Sequence, residues 1–170
     1  ADILVDTYQF HESVKKQVVS KLKEGVPTIH RDLTNVKATV HTTYNWEPKN
    51  IVFRNLKAYI REEINRHYKP GFIGEATRET LEEANFWLNV YEKDDYAQDH
   101  HHWPFHYSFA YFVECDKDHP PLVFTDNGYE VPPVEGTYVA FPAYLKHSVA
   151  KNTLDKVRIT LSGNFNCIHP

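Results

Sequence analysis

The chain is short of several features that would have typed it at once. It holds only two cysteines, Cys115 and Cys167, with no CxxC spacing. That excludes a disulfide framework and leaves two reduced thiols as the expectation. No stretch approaches the ~20 apolar residues that a membrane span requires. The first residues, Ala1-Asp2-Ile3-Leu4-Val5-Asp6, lack the charged start and apolar middle of a signal peptide, so a cytoplasmic protein is expected. Charge of one sign is also scarce. A formal net of −4, with acids and bases interspersed, offers no footprint for nucleic acid or another polyanion. No repeat or low-complexity segment is visible.

What is present is enough apolar material for a packed core: 41% hydrophobic and 14% aromatic residues over 170 positions predict one domain, 1–170. Residues 1–85 read as a mostly helical N-terminal part. His11–Glu24 places Val14, Val18 and Leu22 on one face and ends at Gly25-Val26-Pro27. A second helix is predicted from an Asn50 cap to Tyr68. Its Phe53, Leu56, Ile60 and Ile64 are opposed by Lys57, Arg61, Glu62 and Arg66, and Pro70-Gly71 stops it. Val36–Tyr44 alternates as one strand between the helices.

From Phe86 the hydrophobic period changes from 3.6 to 2. Phe86–Tyr91, Tyr107–Glu114, Leu122–Thr125, Thr137–Phe141 and Val157–Asn164 read as strands. Turn-forming stretches such as Asp94-Asp95, Asp126-Asn127-Gly128 and Glu135-Gly136 separate them. Helices followed by many short strands predict a mainly β, α+β architecture, a double-stranded β-helix (jelly roll) over 86–166 packed against the N-terminal helices.

Histidine is abundant, with eleven in the chain, four of them within His100–His106. His100 and His102 stand at i and i+2, so on a strand they share a face. His147, in Lys146-His147-Ser148-Val149, returns from a distant strand and can close a facial set of three metal ligands with open positions. The same set suits zinc. Period-2 facing also puts Trp87, Asn89 and Tyr91 on one side of their strand. It aligns Arg158, Thr160, Ser162 and Asn164 on one side of theirs. Trp103, Phe105 and Tyr144, next to the histidines, are candidate substrate-pocket residues.

The run Tyr91 to His102, then Gly136–Pro142, His147-Ser148-Val149 and Arg158-Ile159-Thr160, resembles the ordered motifs of Fe(II)/2-oxoglutarate-dependent dioxygenases. The resemblance covers roughly 86–165 and is nearest to compact bacterial and phage oxygenases. It implies Fe(II) held by His100, His102 and His147. It also implies 2-oxoglutarate held by Arg158 with Thr160, Tyr91 and Asn89. The co-substrate partner would be O₂, and the primary substrate a small molecule or peptide to be hydroxylated. One position departs: the family has a carboxylate where this chain has His102. An imidazole there disfavours halogenation, which needs that position vacant, and leaves a metal site of charge +2. Asp99 is a poor replacement, since it faces the other side of the strand. Two other readings stay open on this departure. One is a three-histidine enzyme that uses no 2-oxoglutarate, such as another dioxygenase or a zinc hydrolase. The other is a jelly-roll binding module without catalysis.

Overall fold

The computed structural model describes residues 3–68 and 80–168. Helix α1 (His11–Glu24) buries Val14 and Val18, with Leu22 packed against the same cluster. Gly25 ends it at φ 93°, a left-handed conformation that costs glycine nothing. Helix α2 (Ile51–His67) begins where Asn50 caps it, its Oδ1 accepting from the N–H groups of Val52 (3.1 Å) and Phe53 (3.3 Å). Phe53, Leu56, Ile60 and Ile64 form the buried stripe. Lys57 is not on the solvated side, as its neighbours in sequence suggest. It is buried, with Nζ 3.1 Å from Glu83 Oε2 and 4.8 Å from the centre of the Phe86 ring. Its stem lies in the seam between helix and sheet while its charge is paired. The expected stop at Pro70-Gly71 lies outside the described residues. No described helix is long and apolar enough to cross a membrane.

The strands are β1 (Leu4–Thr7), β2 (Val36–Lys37), β3 (Val40–His41), β4 (Thr80–Tyr91), β5 (Tyr96–His100), β6 (Tyr107–Glu114), β7 (Leu122–Phe124), β8 (Tyr129–Val131), β9 (Thr137–Pro142), β10 (His147–Val149) and β11 (Arg158–Ile168). They pair antiparallel in two sheets, ordered β1-β9-β6-β11-β4-β3 and β2-β5-β10-β7-β8. This is the expected jelly roll with helices on one sheet. The middle of the larger sheet is covered on both faces, which is why β6 and β9 are apolar at most positions. On β6, Phe109, Tyr111 and Val113 face the helices, while Ala110 and Phe112 face the second sheet. On β9, Tyr138 and Ala140 face the helices and Val139 and Phe141 the interior.

Three departures from the sequence reading bear on the site. Val36–Tyr44 is not one strand: β2 pairs with β5 in the small sheet and β3 with β4 in the large one. The chain therefore crosses between sheets at Ala38-Thr39. Asp95, expected only as a turn residue, organises that crossing. It is buried, and its carboxylate accepts from Thr39 N (2.8 Å), Thr39 Oγ1 (2.6 Å), Glu92 N (2.8 Å) and Arg31 Nη1 (3.1 Å). β4 and β11 also extend beyond the expected Phe86–Tyr91 and Val157–Asn164, pairing from Arg158↔Tyr91 to Ile168↔Thr80.

Candidate metal centre and its cavity

His100 closes β5 and His147 opens β10, and the two are direct register partners across the small sheet. His102 arrives differently from the expected strand pair. β5 ends at His100, and His102 lies in the following turn. Its N–H donates to Ala143 O (2.8 Å), and its ring lies 5.7 Å from that of Trp87. All three imidazoles nevertheless converge, with one nitrogen from each lying within 4.8 Å of the others. The Nε2 atoms of His102 and His147 are 3.2 Å apart. Two metal–nitrogen bonds of ~2.1 Å at a right angle would set their nitrogens about 3 Å apart, so the spacing suits a shared ion.

Two backbone carbonyls settle which nitrogens face inward. His100 Nδ1 donates to Gln98 O at 2.6 Å, and His147 Nδ1 donates to Leu145 O at 3.1 Å. Each Nδ1–H is thereby used, and each Nε2 keeps a bare lone pair for the centre. Burial holds the rings neutral, as ligation requires. It lowers the His100 pKa, lowers that of His102 to about 3, and puts that of His147 well below the usual histidine range. The neighbouring imidazoles push in the same direction. Asp99 does not join them: it is exposed, and its Oδ1 accepts from Thr125 Oγ1 at 2.8 Å. The candidate donor set is three neutral imidazoles.

The histidines open inward on a narrow cavity of about 40 Å³ between the sheets. Its wall includes Asn89, Tyr91, Arg158, Thr160 and Ser162 beside apolar Leu122, Phe141 and Val149. The four residues expected to bind an oxo acid thus share one cavity with the three histidines. Arg158 is the informative one. It is 1% exposed, donates to Pro120 O, and lies 5.6 Å from the centre of the Phe112 ring. No carboxylate among the described residues pairs with it, and its Nε has no partner. Burial lowers its pKa, against weak opposition from Tyr91 and Cys115. Trp87 Nε1, in the same wall, also lacks an acceptor. Tyr91 is fully buried, and burial pushes its hydroxyl up to about 12, so it remains protonated. The cavity therefore has a surplus of donors and positive charge. Such a lining fits a bound anion, because a buried cation and buried N–H groups are costly without acceptors.

Outward, the histidines border an open cleft of about 680 Å³ whose lining includes Trp103, Phe105, Trp87, His41 and Tyr44. Tyr144, expected there, is 58% exposed and does not line it. Sequence reasoning missed His41, which is buried and whose Nδ1 lies 2.6 Å from Asn89 Oδ1. Its signal, a histidine in an alternating segment, was weak because that segment divides between two sheets. Cys115 and Cys167 form no disulfide, and burial pushes the Cys115 thiol up to about 11, which keeps it unreactive.

No protein-family model matches the chain, and no curated protein matches it. Solved structures do. The viral collagen prolyl hydroxylase of Paramecium bursaria Chlorella virus-1, in complex with 2-oxoglutarate, superposes with a TM-score of 0.73 at 12% identity, covering 98% of this chain and 96% of that one. A prolyl-4-hydroxylase from Pseudomonas putida gives 0.69 at 14% identity, over 98% of this chain and 93% of the other. An oxidoreductase of the 2-oxoglutarate–Fe(II) oxygenase family from Burkholderia pseudomallei gives 0.68 at 13% identity, over 96% and 84%. At such identities the likeness is one of fold. The chain has the jelly-roll fold of the 2-oxoglutarate–Fe(II) oxygenases, and on that fold it carries a cluster of three histidines.

Proposed function

We propose that this protein is a non-haem Fe(II)- and 2-oxoglutarate-dependent oxygenase that hydroxylates a small-molecule or peptide substrate, with residues 1–170 acting as one domain. One observation carries the reading: a single cavity joins the three-histidine cluster to a buried guanidinium with no carboxylate partner among the described residues. A metal site alone gives Arg158 no reason to be buried uncompensated. A dianionic oxo acid supplies the missing charge, and its planar carboxylate matches the guanidinium fork.

In this reading His100, His102 and His147 hold the ion. Bound Fe(II) supplies activation of O₂, coupled to decarboxylation of the oxo acid and oxidation of a substrate C–H bond. Arg158 orients the distal carboxylate, the Thr160 and Tyr91 hydroxyls complete its hydrogen bonds, and Asn89 supports Thr160 from behind. Leu122, Phe141 and Val149 keep water from the buried charges and so strengthen those contacts. Trp103 and Phe105 border the cleft through which substrate reaches the histidines.

A second reading, a three-histidine metal enzyme that uses no oxo acid, is favoured by the imidazole at position 102. Anaerobic calorimetry on the Fe(II)-loaded protein separates the two. Under the first reading 2-oxoglutarate binds, and Arg158→Ala weakens it at least about tenfold with metal content unchanged, as expected when a buried charge pair loses one side. Arg158→Lys should recover part of the loss, because the charge remains without the fork. Equal affinities in wild type and Arg158→Ala would transfer the assignment to the second reading.

A further inference from the structure

His41 sits between the open cleft and the inner cavity, and its hydrogen bonds have a direction. On one side, the hydroxyls of Tyr44 (3.3 Å) and Thr34 (3.4 Å) reach its Nε2. On the other, Nδ1 meets Asn89 Oδ1 at 2.6 Å. A neutral imidazole donates from one nitrogen and accepts at the other. Since Asn89 presents its carbonyl oxygen, the His41 proton is on Nδ1, and Nε2 accepts from the cleft hydroxyls. The Asn89 amide is then fixed: its Nδ2 donates to Thr160 Oγ1 (3.2 Å) and Ser162 Oγ (3.4 Å). A hydroxyl that accepts such a bond keeps its own proton for another acceptor. Both hydroxyls line the cavity that holds Arg158.

We propose that His41 is a positioning residue: through Asn89 it turns the Thr160 and Ser162 hydroxyl protons toward the anion in the Arg158 cavity. The proposal rests on the co-substrate reading given above. Without the His41 N–H, nothing stops the Asn89 amide from rotating by half a turn. Its oxygen would then take the two hydroxyl protons and leave the anion with Arg158 and the Tyr91 hydroxyl. The chain of bonds starts at Tyr44 and Thr34 in the cleft, so the same residues border the substrate and prepare the co-substrate site.

The test compares wild type with His41→Phe and His41→Asn, by anaerobic calorimetry of 2-oxoglutarate binding to the Fe(II)-loaded proteins. Metal content and thermal unfolding are measured alongside. His41→Phe should bind about tenfold more weakly with unchanged metal content, the size expected for losing aligned hydrogen bonds to a charged group. His41→Asn places an amide N–H where Nδ1–H stood and should restore most of the affinity. Wild-type affinity in His41→Phe, or no recovery in His41→Asn, overturns the relay while leaving the oxygenase reading in place. No binding by wild type overturns the oxygenase reading and the relay with it. Independently of any variant, the imidazole ¹⁵N shifts of the metal-free protein should put the His41 proton on Nδ1. A proton on Nε2 overturns the assignment.

Discussion

At the scale of single residues, backbone carbonyls two residues before each orient the rings of His100 and His147, and burial lowers the pKa of both. No carboxylate among the described residues hydrogen-bonds to them. His102 is different: it enters from a turn and meets His147 at 3.2 Å without a carbonyl holding its other nitrogen. Its role is therefore the one to test. Losing a residue that merely orients a ligand costs 10–100-fold in metal affinity, and losing a ligand should cost at least about 100-fold. His102→Ala is expected to lose stoichiometric iron after dialysis, measured by elemental analysis. Full metal occupancy in that variant would mean that two histidines suffice.

At the scale of elements, the crossing between sheets is the feature on which the site depends, because it delivers His41 on β3 beside Asn89 on β4. Asp95 holds it with two backbone N–H groups, a hydroxyl and a guanidinium. Asp95→Asn keeps the shape but removes the charge and one acceptor, and should destabilise by about 1.5–3 kcal/mol in urea unfolding. Faster exchange of the Thr39 amide should accompany it. β11 carries a second constraint. A Cβ on Gly163 would lie 2.5 Å from Phe109 Cε1 and 2.8 Å from Asn85 O. Backbone oxygen in a paired strand cannot yield, so Gly163→Ala should cost about 1–3 kcal/mol. Metal content should not change, because His100 and His147 lie on strands of the other sheet and His102 in a turn. A neutral outcome in chemical denaturation would mean that Phe109 repacks without loss.

At the scale of the whole molecule, a cluster of neutral imidazoles, His147 buried and His100 and His102 half-buried, makes the metal-free protein sensitive to acid. In the unfolded chain these groups take a proton near pH 6.5, but the fold lowers the pKa of all three, to about 3 for His102. Between those values the unfolded state binds more protons, so stability falls as pH drops below about 6.5. The carboxylates whose pKa the fold depresses, Asp116 and Glu135, withdraw stability only as pH falls below the usual carboxylate range. The urea midpoint of the metal-free protein should thus decline from pH 7.5 to pH 5. His147→Gln, which cannot titrate, should flatten that decline. A midpoint independent of pH over this range would show that the cluster is hydrated and takes protons freely.

Much of this was legible in the chain because period and turn chemistry are local. The Asn50 cap, the stripe Phe53–Ile64, the alternating central strands and the facing of Arg158 with Thr160 follow from spacing alone. The grouping of His100, His102 and His147 was also expected, and the fold brings the three together with Arg158 around one cavity. What the tertiary structure decided are the facts that depend on partners far apart in sequence. The division of Val36–Tyr44 between two sheets, the burial of Lys57 and the clamp at Asp95 each turn on such partners. So does the chain of hydrogen bonds from His41 through Asn89 to Thr160. Local sequence sets which way a side chain points along its own strand. Only packing determines what stands opposite it, and therefore whether a buried cation such as Arg158 meets a carboxylate or is left for a ligand.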